Sequence, residues 1–285
     1  MLKLKAFREL TRLQYVPFAL MAIYSGYLLA NNLDLIQLFF SSISFTFLYT
    51  YMSSDNFYND MKYDKLSVRT SNPILSGEIT VREAQITRTL GAGIALITSY
   101  FAGLYWMASV LIGIGIIMLY QSEPFRLKDT PFGTFLIAFQ SSIPFLFAYF
   151  NGINSFALGL PIILITIFLH INLTTALYHI ADMEGDKQLN SKNFTVEYGI
   201  NATKKLELVI TIATITLALF IIMLNYVSLL VIPILVGTTF VKLRIIAQPP
   251  EVLKESRTWG KYAPTMVINV IALFVGIFGT TIFNV

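Results

Sequence analysis

Long apolar stretches alternate with short polar segments along the whole chain. Several of these stretches approach or exceed the roughly 20 residues that a helix needs to cross a bilayer. We count nine of them: 15–31, 35–53, 85–103, 106–120, 132–150, 156–180, 206–225, 227–244 and 263–283. The pattern predicts an all-α, polytopic membrane helical bundle of nine transmembrane helices. It also predicts tight hairpins at Gly103 to Trp106 and at Asn225 to Tyr226.

The basic residues are distributed unevenly between the two sets of loops. With the N-terminus cytoplasmic, the cytoplasmic pieces are 1–14, 54–84, 121–131, 181–205 and 245–262. All 20 Lys and Arg lie in these pieces or within one helical turn of them. The opposite loops, 31–34, 103–106, 151–155 and 225–227, contain none. This asymmetry follows the positive-inside rule, and it predicts a multi-pass protein with a cytoplasmic N-terminus.

Composition supports the membrane assignment. Hydrophobic residues make up 55% of the chain and charged residues 13%, whereas soluble domains carry roughly 25% charged residues. Mean hydropathy is +0.68. The absence of cysteine excludes disulfides, thiolate metal sites and cysteine nucleophiles. We expect one transmembrane domain over 1–285 and an uncleaved N-terminus, because the basic start lacks a small-residue cleavage site. The expected location is a prokaryotic cell membrane.

Two acidic segments interrupt the apolar pattern. The first places Asn56, Asp60 and Asp64 four residues apart, and the second repeats that spacing with Asp182 and Asp186. On a helix this spacing stacks the side chains along one face. The nine-span topology brings both segments to the cytoplasmic side. Spans two and six, each ending in an Asp pair, are either an internal repeat or a convergent likeness.

Clustered carboxylates at the edge of a hydrocarbon core need a cation to neutralise them. Mg²⁺ suits this role, because it takes one or two carboxylates together with substrate phosphates. The pattern therefore predicts a membrane enzyme that handles a diphosphate. Incidental acids in a solvated loop are the simpler explanation of one such pair, but the repeated spacing favours a metal site.

Span six carries a polar face ahead of its acidic pair, made of Asn172, Thr175, His179 and Asp182. Polar groups inside a bilayer either line a cavity or join helices through hydrogen bonds. His179 is then either a base or hydrogen-bond donor in a cavity, or a satisfied interfacial histidine.

The chain resembles the UbiA superfamily of intramembrane prenyltransferases. Asn56, Asp60 and Asp64 meet its N-x-x-x-D-x-x-x-D motif, and Asp182 with Asp186 meets its D-x-x-x-D motif. Three further segments look like family motifs: Pro73 to Ile79, Tyr120 to Lys128, and Lys192 to Gly199. Several positions depart from the usual family residues: Phe57, Asn72, Gln121, Glu123, Asn190, Asn193 and Phe194.

The resemblance implies a helical bundle in which Mg²⁺ between the two Asp motifs binds the head group of a polyprenyl diphosphate. Its implied metal ligands and catalytic residues are those of the two motifs. The basic residues inside motifs are then diphosphate contacts: Arg69, Arg126, Lys128 and Lys192. The remaining basic residues are explained by topology.

The expected partners are a polyprenyl diphosphate, membrane lipid and a small aromatic or lipid acceptor; no nucleic acid is expected. The resemblance implies a quinone precursor as the favoured acceptor, with a glyceryl phosphate lipid or a phosphosugar as alternatives. Three other functions compete with prenyl transfer. A cation-coupled transporter would place its acids at the midplane rather than at the cytoplasmic edge. A CDP-alcohol phosphatidyltransferase would need a compact D-x-x-D-G-x-x-A-R motif, which is absent. An inactive scaffold would leave the Asp clusters without a neutralising cation.

Overall fold

The computed structural model describes residues 2–31, 34–65, 72–152, 159–225, 229 and 232–254. These residues form helices, turns and loops, without a strand among them. The helices are α1 (Leu2–Thr11), α2 (Val16–Leu29), α3 (Leu35–Asn59), α4 (Met61–Asp64), α5 (Val81–Ala102), α6 (Leu104–Gln121), α7 (Gly133–Gly152), α8 (Gly159–Gln188), α9 (Phe194–Met223), α10 (Ile232–Ile246) and α11 (Pro250–Lys254). Short 3₁₀ turns occupy Leu13–Tyr15 and Leu127–Asp129.

The first eight predicted spans coincide with helices, and the ninth, 263–283, lies outside the described residues. Within the described part of the chain, four helices are long and apolar enough to cross a membrane: α3, α6, α7 and α9. Over the described residues, the predicted all-helical architecture with long apolar helices is therefore confirmed. The count of nine spans and the orientation of the N-terminus stay predictions.

Side-chain caps determine where several helices begin. Asp34 accepts hydrogen bonds from the backbone N–H groups of Ile36 and Gln37, at 2.9 and 3.2 Å, and so starts α3. Thr80 and Glu83 form a reciprocal capping box at the start of α5. These caps satisfy N–H groups that have no partner inside the helix, so polar residues between apolar stretches define the element boundaries.

The predicted hairpin at Gly103 is a single-residue break between α5 and α6. Gly103 has φ +118°, a conformation in which a Cβ would clash with the backbone. A second glycine brings α3 and α5 together: a Cβ on Gly91 would lie 3.0 Å from the Phe47 carbonyl oxygen. The close contact fixes the position of α3, which carries the first acidic segment.

The two largest of four apolar clusters in the described residues hold most of the helices together. One is centred on Trp106 and Tyr27, both fully buried, and joins α2, α3, α5, α6 and α7. The other joins α7, α8 and α9 around Phe145 and Ile163. Large apolar side chains also remain on the outside, such as Leu35 and Leu104, each 73% exposed. An exposed apolar surface of this kind suits lipid contact.

Candidate active site

One cavity of about 450 Å³ collects both acidic segments. The end of α3 and the short α4 contribute to one side, and the end of α8 contributes to the other. The motif residues that line it are Asn56, Asp60, Asp64, Asp182 and Asp186. Residues more than 110 positions apart in sequence therefore share one cavity.

The first segment keeps a helical path although its helix is interrupted at Asp60. The Asp60 N–H donates to the Asn56 carbonyl at 2.9 Å, and the Asp64 N–H donates to the Asp60 carbonyl at 2.8 Å. These are helical i to i−4 bonds, so the three side chains stay stacked. The Asn56 side-chain amide also donates to Asp60 Oδ2 at 2.6 Å.

The second segment lies within a continuous helix, α8. Asp182 and Asp186 are one turn apart, and His179 precedes Asp182 by a further turn. His179 lines the cavity, and its Nδ1 is 4.0 Å from Asp186 Oδ2. Among the described residues, His179 Nε2 is buried without a hydrogen-bond partner. His179 is therefore not an interfacial histidine with hydrogen bonds at both ring nitrogens among the described residues.

The loop between α6 and α7 brings two cations to the first segment. Arg126 Nη2 is 2.9 Å from Asp60 Oδ1, and Lys128 Nζ pairs with the same oxygen. The Arg126 guanidinium also lies 3.4 Å from the centre of the Tyr63 ring. Arg126 adopts a left-handed backbone conformation, with φ +38°. This conformation turns the loop back so that Arg126 and Lys128 both reach Asp60.

Asp129 is a cavity carboxylate that the sequence analysis missed. Its Oδ2 accepts from Arg126 Nε at 2.7 Å. Its carbonyl accepts from the Lys192 backbone N–H at 2.7 Å, which ties this loop to the turn after α8. The prediction relied on helical four-residue spacing, whereas Asp129 reaches the cavity through loop geometry. Its position directly after Lys128 was the only available signal.

Arg12 was also missed, because topology alone accounts for a basic N-terminus. It follows α1, has φ +49°, and lines the cavity. Its guanidinium lies 4.7 Å from the centre of the Phe57 ring. The turn after the N-terminal helix therefore contributes a cation to the same cavity as the acidic segments.

Burial shifts the pKa values of several charged groups here. It raises the pKa of Asp64, an effect that the hydrogen bond from Asn72 opposes. Burial lowers the pKa of Lys128, although Asp60 opposes that shift. For Arg126 burial also disfavours the charge, but Asp60 and Asp129 outweigh it and raise the pKa.

The described lining carries more negative than positive charge. Its five carboxylates, those of the four motif aspartates and Asp129, face three cations, Arg12, Arg126 and Lys128. The formal charge is therefore −2 with His179 neutral.

No three carboxylate or imidazole groups among the described residues converge as a complete protein-only metal site. Mg²⁺ does not require one, because it completes its octahedron with water and phosphate oxygens. The all-oxygen donors suit such a hard ion.

Of the four predicted phosphate contacts, Lys192 is not brought to this cavity. The Lys192 side chain is exposed and does not belong to the described lining. Arg69 lies outside the described residues. Arg126 and Lys128 do line the cavity, beside the motif aspartates.

Comparisons of sequence and of structure with known proteins point to the same family. A digeranylgeranylglyceryl phosphate synthase of Methanocaldococcus jannaschii is 27% identical over 201 residues, which are 69% of each chain. A solved structure that concerns digeranylgeranylglyceryl phosphate synthase in membranes superposes with a TM-score of 0.70 at 22% identity. That match covers 97% of this chain and 99% of the other.

A UbiA homologue from Archaeoglobus fulgidus, bound to DMAPP and Mg²⁺, also has a TM-score of 0.70. It is 18% identical, with 94% of this chain and 99% of that one covered. These structural similarities show that the chain has the same fold as the two solved proteins. The sequence profile of the UbiA prenyltransferase family matches residues 18–279, nearly the whole chain. The chain therefore belongs to the UbiA prenyltransferase family.

Proposed function

We propose that this protein transfers a polyprenyl group from an isoprenoid diphosphate to a membrane acceptor in a reaction that requires Mg²⁺. One observation carries the proposal: both acidic segments line the same cavity as Arg126 and Lys128. Carboxylates for a divalent ion and cations for phosphate oxygens are the two halves of a diphosphate site.

The charge balance supports the metal. A diphosphate brings several negative charges, and the described lining is already negative. Like charges in a partly buried site repel strongly, so the diphosphate needs accompanying divalent cations. Asn56, Asp60 and Asp64 would hold Mg²⁺ on one side, and Asp182 and Asp186 on the other. When bound, Mg²⁺ neutralises charge on the departing diphosphate.

The other residues bind, orient and exclude water. Arg126 and Lys128 stabilise charge on the leaving diphosphate as the allylic C–O bond breaks. Arg69 keeps its predicted role as a further diphosphate contact, whereas the exposed Lys192, outside the described lining, is not assigned one. Apolar side chains complete the described lining: Met52, Phe57, Ile137 and Leu189. They keep water from an electron-deficient allylic carbon.

The proton that the acceptor loses also needs a destination. The acceptor oxygen forms the new bond to the allylic carbon, and the electron pair of the broken bond leaves with the diphosphate. His179 Nε2 is buried at the cavity without a partner among the described residues. Because of this position, we assign His179 Nε2 the role of proton acceptor. Prenyl transfer by His179→Gln tests the assignment.

The acceptor that we propose is a glyceryl phosphate lipid that already carries one prenyl chain. The Methanocaldococcus jannaschii relative makes a digeranylgeranylglyceryl phosphate, whose formation requires a second prenyl transfer. Arg12 gives the cavity a cation beside Phe57, separate from the Asp60 pairs, and so suits an acceptor with its own phosphate. An aromatic quinone precursor, the acceptor that the family resemblance favoured, has no such support and becomes an outcome of the test.

The membrane arrangement completes the proposal. We place nine spans in one domain over 1–285, with the N-terminus and the cavity on the cytoplasmic side. The loop asymmetry of Lys and Arg supports this orientation. A cysteine introduced next to Lys3, in a chain that has no cysteine of its own, should react with an impermeant thiol reagent only from the cytoplasmic face.

The test is transfer by the purified full chain in lipid nanodiscs. The protein would receive deuterated geranylgeranyl diphosphate and Mg²⁺, with a geranylgeranylglyceryl phosphate, a hydroxybenzoate or a phosphosugar as acceptor. We expect labelled ether product only from the glyceryl phosphate. Product only from the hydroxybenzoate would replace the acceptor assignment, and no product from any acceptor would contradict prenyl transfer.

A further inference from the structure

Two buried asparagines follow the two acidic segments at matching positions. Asn72 comes eight residues after Asp64 and is 1% exposed; Asn193 comes seven residues after Asp186 and is 2% exposed. Neither was a candidate site residue in the sequence. A buried side-chain amide is costly unless its groups are hydrogen-bonded, so the partners of each show what it does.

Asn72 joins its own turn to the first acidic segment. Its Nδ2 donates to Asp64 Oδ2 at 2.7 Å and to the Phe57 carbonyl at 2.9 Å. Its Oδ1 accepts from the Ile74 backbone N–H at 3.0 Å. Both ends of the amide are therefore held, and the Asp64 carboxylate is fixed against them.

Asn193 repeats the arrangement at the second segment. Its Nδ2 donates to Asp186 Oδ2 at 2.7 Å. Its Oδ1 accepts from the Val196 backbone N–H at 3.0 Å and so caps the start of α9. Asp64 and Asp186, the later aspartates of the two pairs, are called the outer carboxylates here. Each thus accepts a hydrogen bond from a buried asparagine amide.

Hydrogen-bond chemistry determines which way each amide points. A backbone N–H can only donate, so the amide oxygen must face it. That leaves the NH₂ group facing the carboxylate. Serine, threonine or aspartate would cap or form the turn equally well, but aspartate lacks a donor and the hydroxyl residues are shorter. Helix capping alone does not account for the bonds to Asp64 and Asp186.

We infer that Asn72 and Asn193 are positioning residues, which orient the outer carboxylates Asp64 and Asp186 for a divalent cation. The amide is neutral, so it orients the carboxylate through a hydrogen bond without carrying a charge of its own. The carboxylate keeps its charge for the metal, and its rotamer is fixed before the metal binds. The inference rests on the proposed function, because it takes Asp64 and Asp186 as metal ligands.

The test compares Mn²⁺ binding to the purified full chain and its serine variants. Asn72→Ser and Asn193→Ser keep an oxygen for the local N–H but shorten the side chain by one C–N bond, about 1.3 Å. Asn59→Ser is the matched control, because Asn59 Nδ2 also donates to a carboxylate, Asp55 Oδ2, at 2.9 Å. Neither Asn59 nor Asp55 belongs to the described lining of the cavity.

We expect Asn72→Ser and Asn193→Ser each to bind Mn²⁺ about 10- to 100-fold more weakly, the usual cost of losing a partner behind a metal ligand. Asn59→Ser should bind like wild type, and the melting temperatures of all metal-free proteins should stay close together. A purely structural role would instead lower the metal-free melting temperature and leave Mn²⁺ affinity unchanged, which would overturn the inference.

Two further variants separate this inference from the proposed function. If Asp64→Asn and Asp186→Asn lose Mn²⁺ binding while the serine variants keep it, only the positioning roles fail. If Asp64→Asn and Asp186→Asn bind Mn²⁺ like wild type, the metal-ligand assignment fails and the positioning roles fail with it.

Discussion

Replacement of Arg126 by lysine tests whether a fixed guanidinium is needed at the diphosphate cavity. Arg126 reaches Asp60 at 2.9 Å and Asp129 at 2.7 Å through different nitrogens, and its side chain is only 6% exposed. A lysine keeps the charge but presents it as one compact point. A lysine at position 126 can therefore pair with only one of the two carboxylates, Asp60 or Asp129.

The expected magnitude follows from the bond that is lost. A hydrogen bond to a charged group is worth about 1.5–3 kcal/mol, and each 1.4 kcal/mol is roughly tenfold in rate. If the bond positions charge for the departing diphosphate, kcat/KM should fall about 10- to 150-fold. The assay is initial-rate transfer in nanodiscs with labelled geranylgeranyl diphosphate.

Arg88 offers a matched control. Its Nη1 is 2.9 Å from Asp55 Oδ1, and its guanidinium lies 4.5 Å from the centre of the Tyr58 ring. None of these three residues belongs to the described cavity lining. Arg88→Lys should keep wild-type kcat/KM. The reasoning is refuted if Arg126→Lys stays within about threefold of wild type, or if Arg88→Lys loses as much activity.

Three further predictions concern the metal, the pH and the bundle. Removal of divalent ions with EDTA should abolish transfer, and Mg²⁺ but not Na⁺ should restore it; transfer that persists in EDTA would contradict the metal site. Because burial raises the pKa of Asp64, protons should compete with the metal at a higher pH than on a free carboxyl group. Mn²⁺ affinity should therefore begin to fall on acidification while the pH is still above the ordinary pKa of an aspartate, about 4, and a rise on acidification would be the wrong sign. Asn151 Nδ2 donates to the Ala102 carbonyl at 2.6 Å and to Tyr27 Oη at 3.0 Å. Asn151→Leu should lower the free energy of unfolding by about 1–3 kcal/mol in a detergent denaturation series. The exposed Asn201, replaced in the same way, should show no comparable loss.

The sequence predicted the helices well because bilayer thickness and charge asymmetry constrain a membrane chain strongly. It also identified the four motif aspartates, since helical spacing needs no tertiary information. The helical spacing of Asp182 and Asp186 predicted that the helix continues past the apolar span, but not that α8 reaches Gln188. The predicted span ended at 180, because apolar character stops there although the helix does not.

The side chains that sequence reasoning missed reach the cavity through turns. Arg12 and Asp129 depend on left-handed backbone conformations, at Arg12 itself and at Arg126. Asn72 and Asn193 act across a turn on carboxylates seven or eight residues upstream. Such contacts have no periodic signal, and non-glycine residues at positive φ are uncommon. The two asparagines had been noted only as departures from family residues.

The most direct test of the account measures Mn²⁺ binding in the presence of a non-reactive isoprenoid diphosphate analogue. Wild type would be compared with Asp60→Asn, Asp182→Asn and the double variant. If both segments hold the metal and diphosphate together, either single change should lose joint binding, and the double variant should be little worse than either. Joint binding of wild-type strength in Asp182→Asn, with loss confined to Asp60→Asn, would contradict a shared site.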